Sequence, residues 1–237
     1  MKRQLLIFAC IILSAASQLT AQAVLANDVY RLGSRTVHIP APEGFFDTFP
    51  HFDRVTGYFI AAETPSNNTL AAYVPNDTLP QLKAGIASPL IAYAKISVSR
   101  EAITLDATPQ LFANVVSDLE KRYAAPIAAD STITPPVAEN AAKWLAANSS
   151  KDSTPELKTA INLGHFQKTD NVFSAMMIMK LEAFSDPRPY LASVSLLNVN
   201  NRLIYVYAYR QITSDKDADV LSELTKTWTA AIVAANR

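Results

Sequence analysis

Hydrophobic positions along this chain switch repeatedly between the two-residue period of a strand and the three-to-four-residue period of a helix. Val29 to Ile39 reads as a first strand, closed by Pro40 and Pro42 because proline cannot donate to a ladder. Phe49, Phe52, Val55, Phe59 and Ala62 recur at helical spacing and predict a short helix that also carries Gly57. The polar run TPSNNT is a turn, Leu70 to Val74 a strand, and Leu90 to Val98 another. In the last of these, Ile91, Tyr93, Lys95 and Ser97 oppose Ala92, Ala94, Ile96 and Val98.

A better-marked helix follows. Thr108 can cap it, and Pro109 suits a first turn whose N–H needs no partner. Leu111, Val115, Leu119 and Tyr123 form its apolar stripe, while Lys121 and Arg122 oppose the negative end of its dipole. Pro126 stops it. Residues 124–136 are rich in Ala, Pro and Thr and read as a connector, after which Val137, Ala141, Trp144 and Leu145 share one side of a shorter helix.

From Thr159 the chain predicts a meander: Thr159 to Gln167, Val172 to Phe184, Tyr190 to Val199 and Arg202 to Gln211. Asn200 and Asn201 make a two-residue turn, since Asn tolerates the positive φ of a tight hairpin. The last helix starts at a capping box of Ser214 and Asp217, and Leu221, Leu224, Trp228, Ala231 and Ile232 follow on one face. The fold class is α+β, an antiparallel sheet with helices packed on its faces, ending in strand, strand, strand, helix.

Residues 1–26 change the picture of where this domain works. Lys2 and Arg3, the uncharged run Leu5 to Ala16, and small residues at Ala21, Ala23 and Ala26 have the order of a secretory signal peptide. The run is shorter than the ~20 apolar residues a spanning helix needs. Cleavage near Ala23 or Ala26 would leave one α+β domain over 27–237 without a transmembrane segment. The one cysteine, Cys10, falls inside the leader, and an exported chain without disulfides fits a bacterial periplasm. Removing the leader leaves 19 basic against 21 acidic residues, which argues against nucleic acid as a partner.

Several residue groups carry possible chemistry. Tyr205, Tyr207 and Tyr209 alternate along one strand and share a face. Left open, that face is an aromatic platform for a protein, peptide, glycan or lipid; covered, it is packing. Asp47, His51 and Asp53 would be neighbours on a helix and could hold zinc. Met177 and Met179 share a strand face, with Met176 pointing away, and thioethers suit Cu(I), though methionine also fills cores. His38 and His165 fall in strand patterns. The acids Asp215, Asp217 and Asp219 lack the glycine and closing glutamate of a calcium loop and read as helix caps. No nucleophile elbow and no phosphate cradle occurs, so no cofactor and no catalytic residue is expected.

The segments FSAMMIMKLEAF, YLASVSLLNV and RLIYVYAYRQI, followed by an acid-capped helix with a tryptophan stripe, resemble the PsbP-like and DcrB-like exported α/β sandwiches over Phe166 to Asn236. The resemblance implies an accessory or binding role without catalysis. The expectation is therefore an exported periplasmic binding protein. A metal-dependent hydrolase or a periplasmic copper or zinc carrier using Asp47, His51, Asp53 or the methionines is the alternative.

Overall fold

The computed structural model describes residues 28–49, 51–85, 90–124, 156–183 and 186–237. The leader, the connector from residue 125 onward and the helix expected around Trp144 lie outside these residues. In chain order the elements are β1 (Val29–Leu32), β2 (Arg35–His38), β3 (Phe45–Asp47), α1 (Asp53–Ala61), β4 (Asn67–Pro75) and a 3-10 turn (Asn76–Thr78). Then come α2 (Leu79–Lys83), β5 (Ala92–Ser99), α3 (Pro109–Ala124), β6 (Glu156–Lys168), β7 (Val172–Ala183), β8 (Asp186–Val199), β9 (Arg202–Gln211) and α4 (Asp217–Ala235).

Seven strands form one sheet in the order β3-β4-β5-β9-β8-β7-β6, and every neighbouring pair is antiparallel. The expected α+β class holds, down to the final strand, strand, strand, helix order. The meander follows from local hairpins. Asn200 and Asn201 adopt φ of 49° and 58°, the left-handed pair that a two-residue turn with the right strand twist requires. Pairing of β5 with β9 then joins the first half of the chain to the second, with Ala92 opposite Arg210.

Alternation along β9 sends Ile204, Val206 and Ala208 to one face, where α4 packs Leu221, Trp228, Ile232 and Val233 against them. The other face receives α3, whose Phe112 and Val116 bury against Phe173, Ala175 and Leu196. Thr108 caps α3 as expected, its Oγ1 accepting from the Leu111 N–H at 3.2 Å.

Three expectations need correcting. The strand expected over Val29 to Ile39 is a hairpin of β1 and β2, with Leu32 opposite Arg35. Gly33 turns it at a φ of 61°, where a Cβ would also crowd Thr104 at 3.2 Å. A two-stranded hairpin is marginal alone. It is held by Arg202 Nε donating to the Leu32 carbonyl (3.0 Å), and by Asn236, which bonds both the N–H and the carbonyl of His38 (2.9 and 2.6 Å). The helix expected from Phe49 begins at Asp53, because β3 pairs Asp47 with Tyr73 and keeps the preceding chain extended. At α4 the acid half of the box forms: Asp217 accepts from the Ser214 N–H at 2.6 Å, while Lys216 occupies the cap position with no side-chain bond.

Candidate functional site

The three tyrosines of β9 share a face, and β5 extends that face, because Tyr93, Lys95 and Ser97 stand directly opposite Tyr209, Tyr207 and Tyr205. The rings form a ladder. Tyr205 to Tyr207 and Tyr207 to Tyr209 are 6.2 and 6.4 Å between centroids, and Tyr93 stacks on Tyr209 at 4.4 Å with 17° between planes. Phe59 of α1 closes on Tyr93 at 5.4 Å. All three β9 tyrosines are half-buried rather than laid open as a flat platform. Burial pushes the hydroxyls of Tyr205, Tyr207 and Tyr209 up from their ordinary range.

Beside the ladder lies an ion pair that the sequence reading missed. Lys95 Nζ donates to Glu63 Oε2 at 2.9 Å, with side chains only 9% and 6% exposed. Ser97 Oγ and Thr69 Oγ1 donate to the same oxygen, and the Thr64 N–H donates to the other at 2.9 Å. Burial would raise the Glu63 carboxyl, but the Lys95 charge and the bonds from Ser97, Lys95 and Thr64 outweigh it and hold the group below its usual range. Lys95 Nζ also sits 4.9 Å from the Tyr207 ring centroid, a cation–π contact. The available signal was a lysine set between Ala94 and Ile96 in a strand pattern. Its partner lies 32 residues away, which no local pattern reveals.

The candidate zinc trio is not brought together. Asp47 is half-buried on β3, its Oδ1 accepting from the Phe49 N–H at 2.9 Å. Burial pushes its carboxyl up to about 6, against the Phe49 bond and the charge of His51. His51 packs its exposed ring 5.2 Å from Phe46, and Asp53 is exposed at the start of α1. Among the described residues no group of three or more His, Cys, Asp or Glu is placed to hold a metal ion. Met176 is buried in the α4 core, while Met177 and Met179 are half-buried on the opposite face, where their partners on β8 are Ala192 and Tyr190. His38 is exposed in β2, and His165 is exposed on β6 with its ring 5.8 Å from Phe173.

Two further charged side chains tie elements together. Arg202 is buried and donates to the carbonyls of Leu32, Leu105 and Asn201 and to Asp106 at 2.6 Å. Asp217 accepts from Arg210 Nε, from the N–H groups of Thr213 and Ser214, and from Thr213 Oγ1. The Arg210 bond, then that of Thr213, holds its carboxyl well below the usual range against the opposing effect of burial.

A cavity of about 490 Å³ opens beside the ladder, within the 300–1,000 Å³ typical of small-molecule sites. Its walls come from the ends of β3, β4, β5 and β9, from the 3-10 turn and α2, and from the first two turns of α4. Phe45, Leu90, Ile91, Val220, Leu221 and Leu224 give it apolar walls, Thr78 and Gln81 add polar ones, and Tyr209 joins it to the ladder. Ile91 and Val220, on its rim, are 58% and 46% exposed, a high exposure for large aliphatic side chains. Arg210 and Asp77 supply its charged groups. A second cavity of about 560 Å³ has Ile60, Thr64, Asn67, Arg100 and Glu63 in its wall, the Glu63 carboxylate already bonded as described. Among the described residues no helix is long and apolar enough to cross a membrane.

No family model matches the chain, and no curated protein matches it. Among solved structures it is similar to the Ran-binding protein Mog1p of Saccharomyces cerevisiae, at 10% identity and a TM-score of 0.33, over 84% of this chain and 87% of that one. It is also similar to a Mog1 mutant, at 10% identity and a TM-score of 0.32, over 88% of this chain and 92% of that one.

Proposed function

We propose that this chain is an exported, non-catalytic binding protein that takes up an apolar ligand in the cavity at the start of α4. The carrying observation is the placement of Ile91 and Val220. Both are large aliphatic side chains left open to water, and both line the same cavity. Scattered exposed hydrophobics need no explanation, but convergence on one cavity is the signature of a site that gains by being covered. Two pairs of charged side chains are engaged with one another. Glu63 holds Lys95 and Asp217 holds Arg210, so they serve architecture rather than proton transfer. Export is supported by the leader-like pattern of residues 1–26. A binding role is supported by the resemblance of the C-terminal third to exported PsbP-like and DcrB-like sandwiches.

The test uses the neutral probe N-phenyl-1-naphthylamine, whose emission rises in apolar surroundings. The full chain should enhance it saturably at one probe per molecule, and Ile91→Asp should abolish the saturable part while leaving the melting temperature nearly unchanged. No saturable enhancement, or equal enhancement in both proteins, rejects the cavity as a binding site. Mass measurement of the protein recovered from the periplasm, expected to start near Val24 or Asn27, tests export; recovery with residues 1–26 intact in the cytosol rejects it.

A further inference from the structure

The polar end of the same cavity narrows the ligand class, an argument that rests on the cavity being the binding site. Arg210 lines it, and only one edge of its guanidinium is used. Nε donates to Asp217 Oδ1, while Asp217 Oδ2 accepts from the Thr213 N–H (2.7 Å), the Ser214 N–H (2.6 Å) and Thr213 Oγ1 (3.0 Å). Asp217 is thus saturated and itself anchored at the head of α4, which fixes the plane of the Arg210 group. Among the described residues the two terminal nitrogens of Arg210 have no acceptor. Those nitrogens carry four N–H donors in a rigid fork, the geometry that matches both oxygens of a carboxylate.

The remaining walls say what the carboxylate is attached to. Leu90, Ile91, Val220 and Leu224 form an aliphatic stretch with no side-chain donor or acceptor, while Thr78 and Gln81 place a hydroxyl and an amide elsewhere in the wall. A peptide laid along them would bury amide groups that need partners, whereas a hydrocarbon chain brings none. Asp77 lines the same cavity and repels a second negative charge, and Asp217 already offsets the charge of Arg210. Attraction therefore comes from the paired hydrogen bonds rather than from net charge, and one anionic group is the limit. We infer that the cavity binds an aliphatic monocarboxylate, its headgroup on the free edge of Arg210 and its chain along Ile91 and Val220.

Calorimetric titration of the full chain with octanoate and with octanol separates this inference from the cavity reading. Octanoate should bind wild type at least tenfold more tightly than octanol. Arg210→Gln should lower octanoate affinity about tenfold and leave octanol affinity unchanged, and Asp77→Asn should tighten octanoate severalfold. If Arg210→Gln fails to fold, Arg210→Lys carries the comparison, because it keeps the charge and loses the fork; octanoate affinity equal to wild type there overturns the inference. Equal binding of octanoate and octanol by wild type also overturns it while leaving an apolar site standing. Failure of both ligands to bind removes the site as well.

Discussion

Trp228 stands edge-on to Tyr73, with ring centroids 5.4 Å apart and planes at 85°, and its indole N–H donates to the Pro40 carbonyl at 2.8 Å. One side chain of α4 thereby clamps the central sheet and the strap that follows the β1–β2 hairpin. Trp228→Ala should cost about 3–5 kcal/mol, the range for truncating a buried large aromatic. Trp228→Phe keeps most of the packing, loses the bond to Pro40, and should cost less than half as much. Urea unfolding measures both. A loss below about 1 kcal/mol for Trp228→Ala would mean that α4 is not docked as described.

The Glu63–Lys95 pair gives an asymmetric expectation. Removing one partner leaves a buried charge uncompensated, so Lys95→Met should destabilise by about 3–5 kcal/mol. Replacing both, as Glu63→Gln with Lys95→Met, should recover much of that loss. Equal losses in the single and double variants would show that the pair is not coupled.

Tyr207→Ala tests whether the ladder is packing or platform. The ring is half-buried between two other tyrosines and beneath Lys95 Nζ, so its truncation should cost about 2–4 kcal/mol, somewhat less than a fully buried aromatic. An unchanged melting temperature would return the ladder to the status of open surface.

Asp47 predicts a pH dependence with a definite sign. An aspartate in an unfolded chain titrates near ~3.9, and burial pushes this one up to about 6. Between those values the folded protein holds a proton that the unfolded chain has released. The Asp47 contribution to stability therefore falls as pH rises from about 4 to about 6. Asp28, His51, Tyr30 and Tyr73 face the group electrostatically. Glu63, held below its usual range, contributes in the opposite sense, losing stability as pH falls through its own folded value. Comparison of wild type with Asp47→Asn isolates the aspartate. The variant should be more stable at pH 7 by about 1–2 kcal/mol after allowance for residual solvent, with the difference shrinking toward pH 4. Parallel stability curves for the two proteins would refute it.

Elements whose cause is local were legible in the sequence. Asn200 and Asn201 reveal the β8–β9 hairpin because positive φ at both central positions is a two-residue decision. Thr108 and Pro109 reveal the start of α3 in the same way. Local signals also misled. Gly33 breaks an otherwise strand-like run, and a lone glycine reads as easily as a tolerated interruption as it does a turn. The zinc trio failed because it assumed a helix through Asp47, where pairing with Tyr73 on β4 imposes an extended chain. Nothing local marks Glu63 as the partner of Lys95 or Asp217 as the anchor of Arg210. The cavity draws its walls from seven elements brought together by the sheet order, so its residues carry no shared sequence signature.

The central seam between β5 and β9 bears on how the chain can be made. Ala92 must wait for Arg210, and His38 for Asn236, before either is satisfied. An N-terminal half emerging from the ribosome can pair its third sheet strand with β4 but has nothing for that strand's other edge, and no anchor for its leading hairpin. Closure is deferred until the final residues are available, and contacts so distant along the chain form slowly. A product shortened by the last strand and helix would present β5 as a bare edge, open to pairing with other chains. The C-terminal segment is thus what turns a sticky half-sheet into a finished molecule.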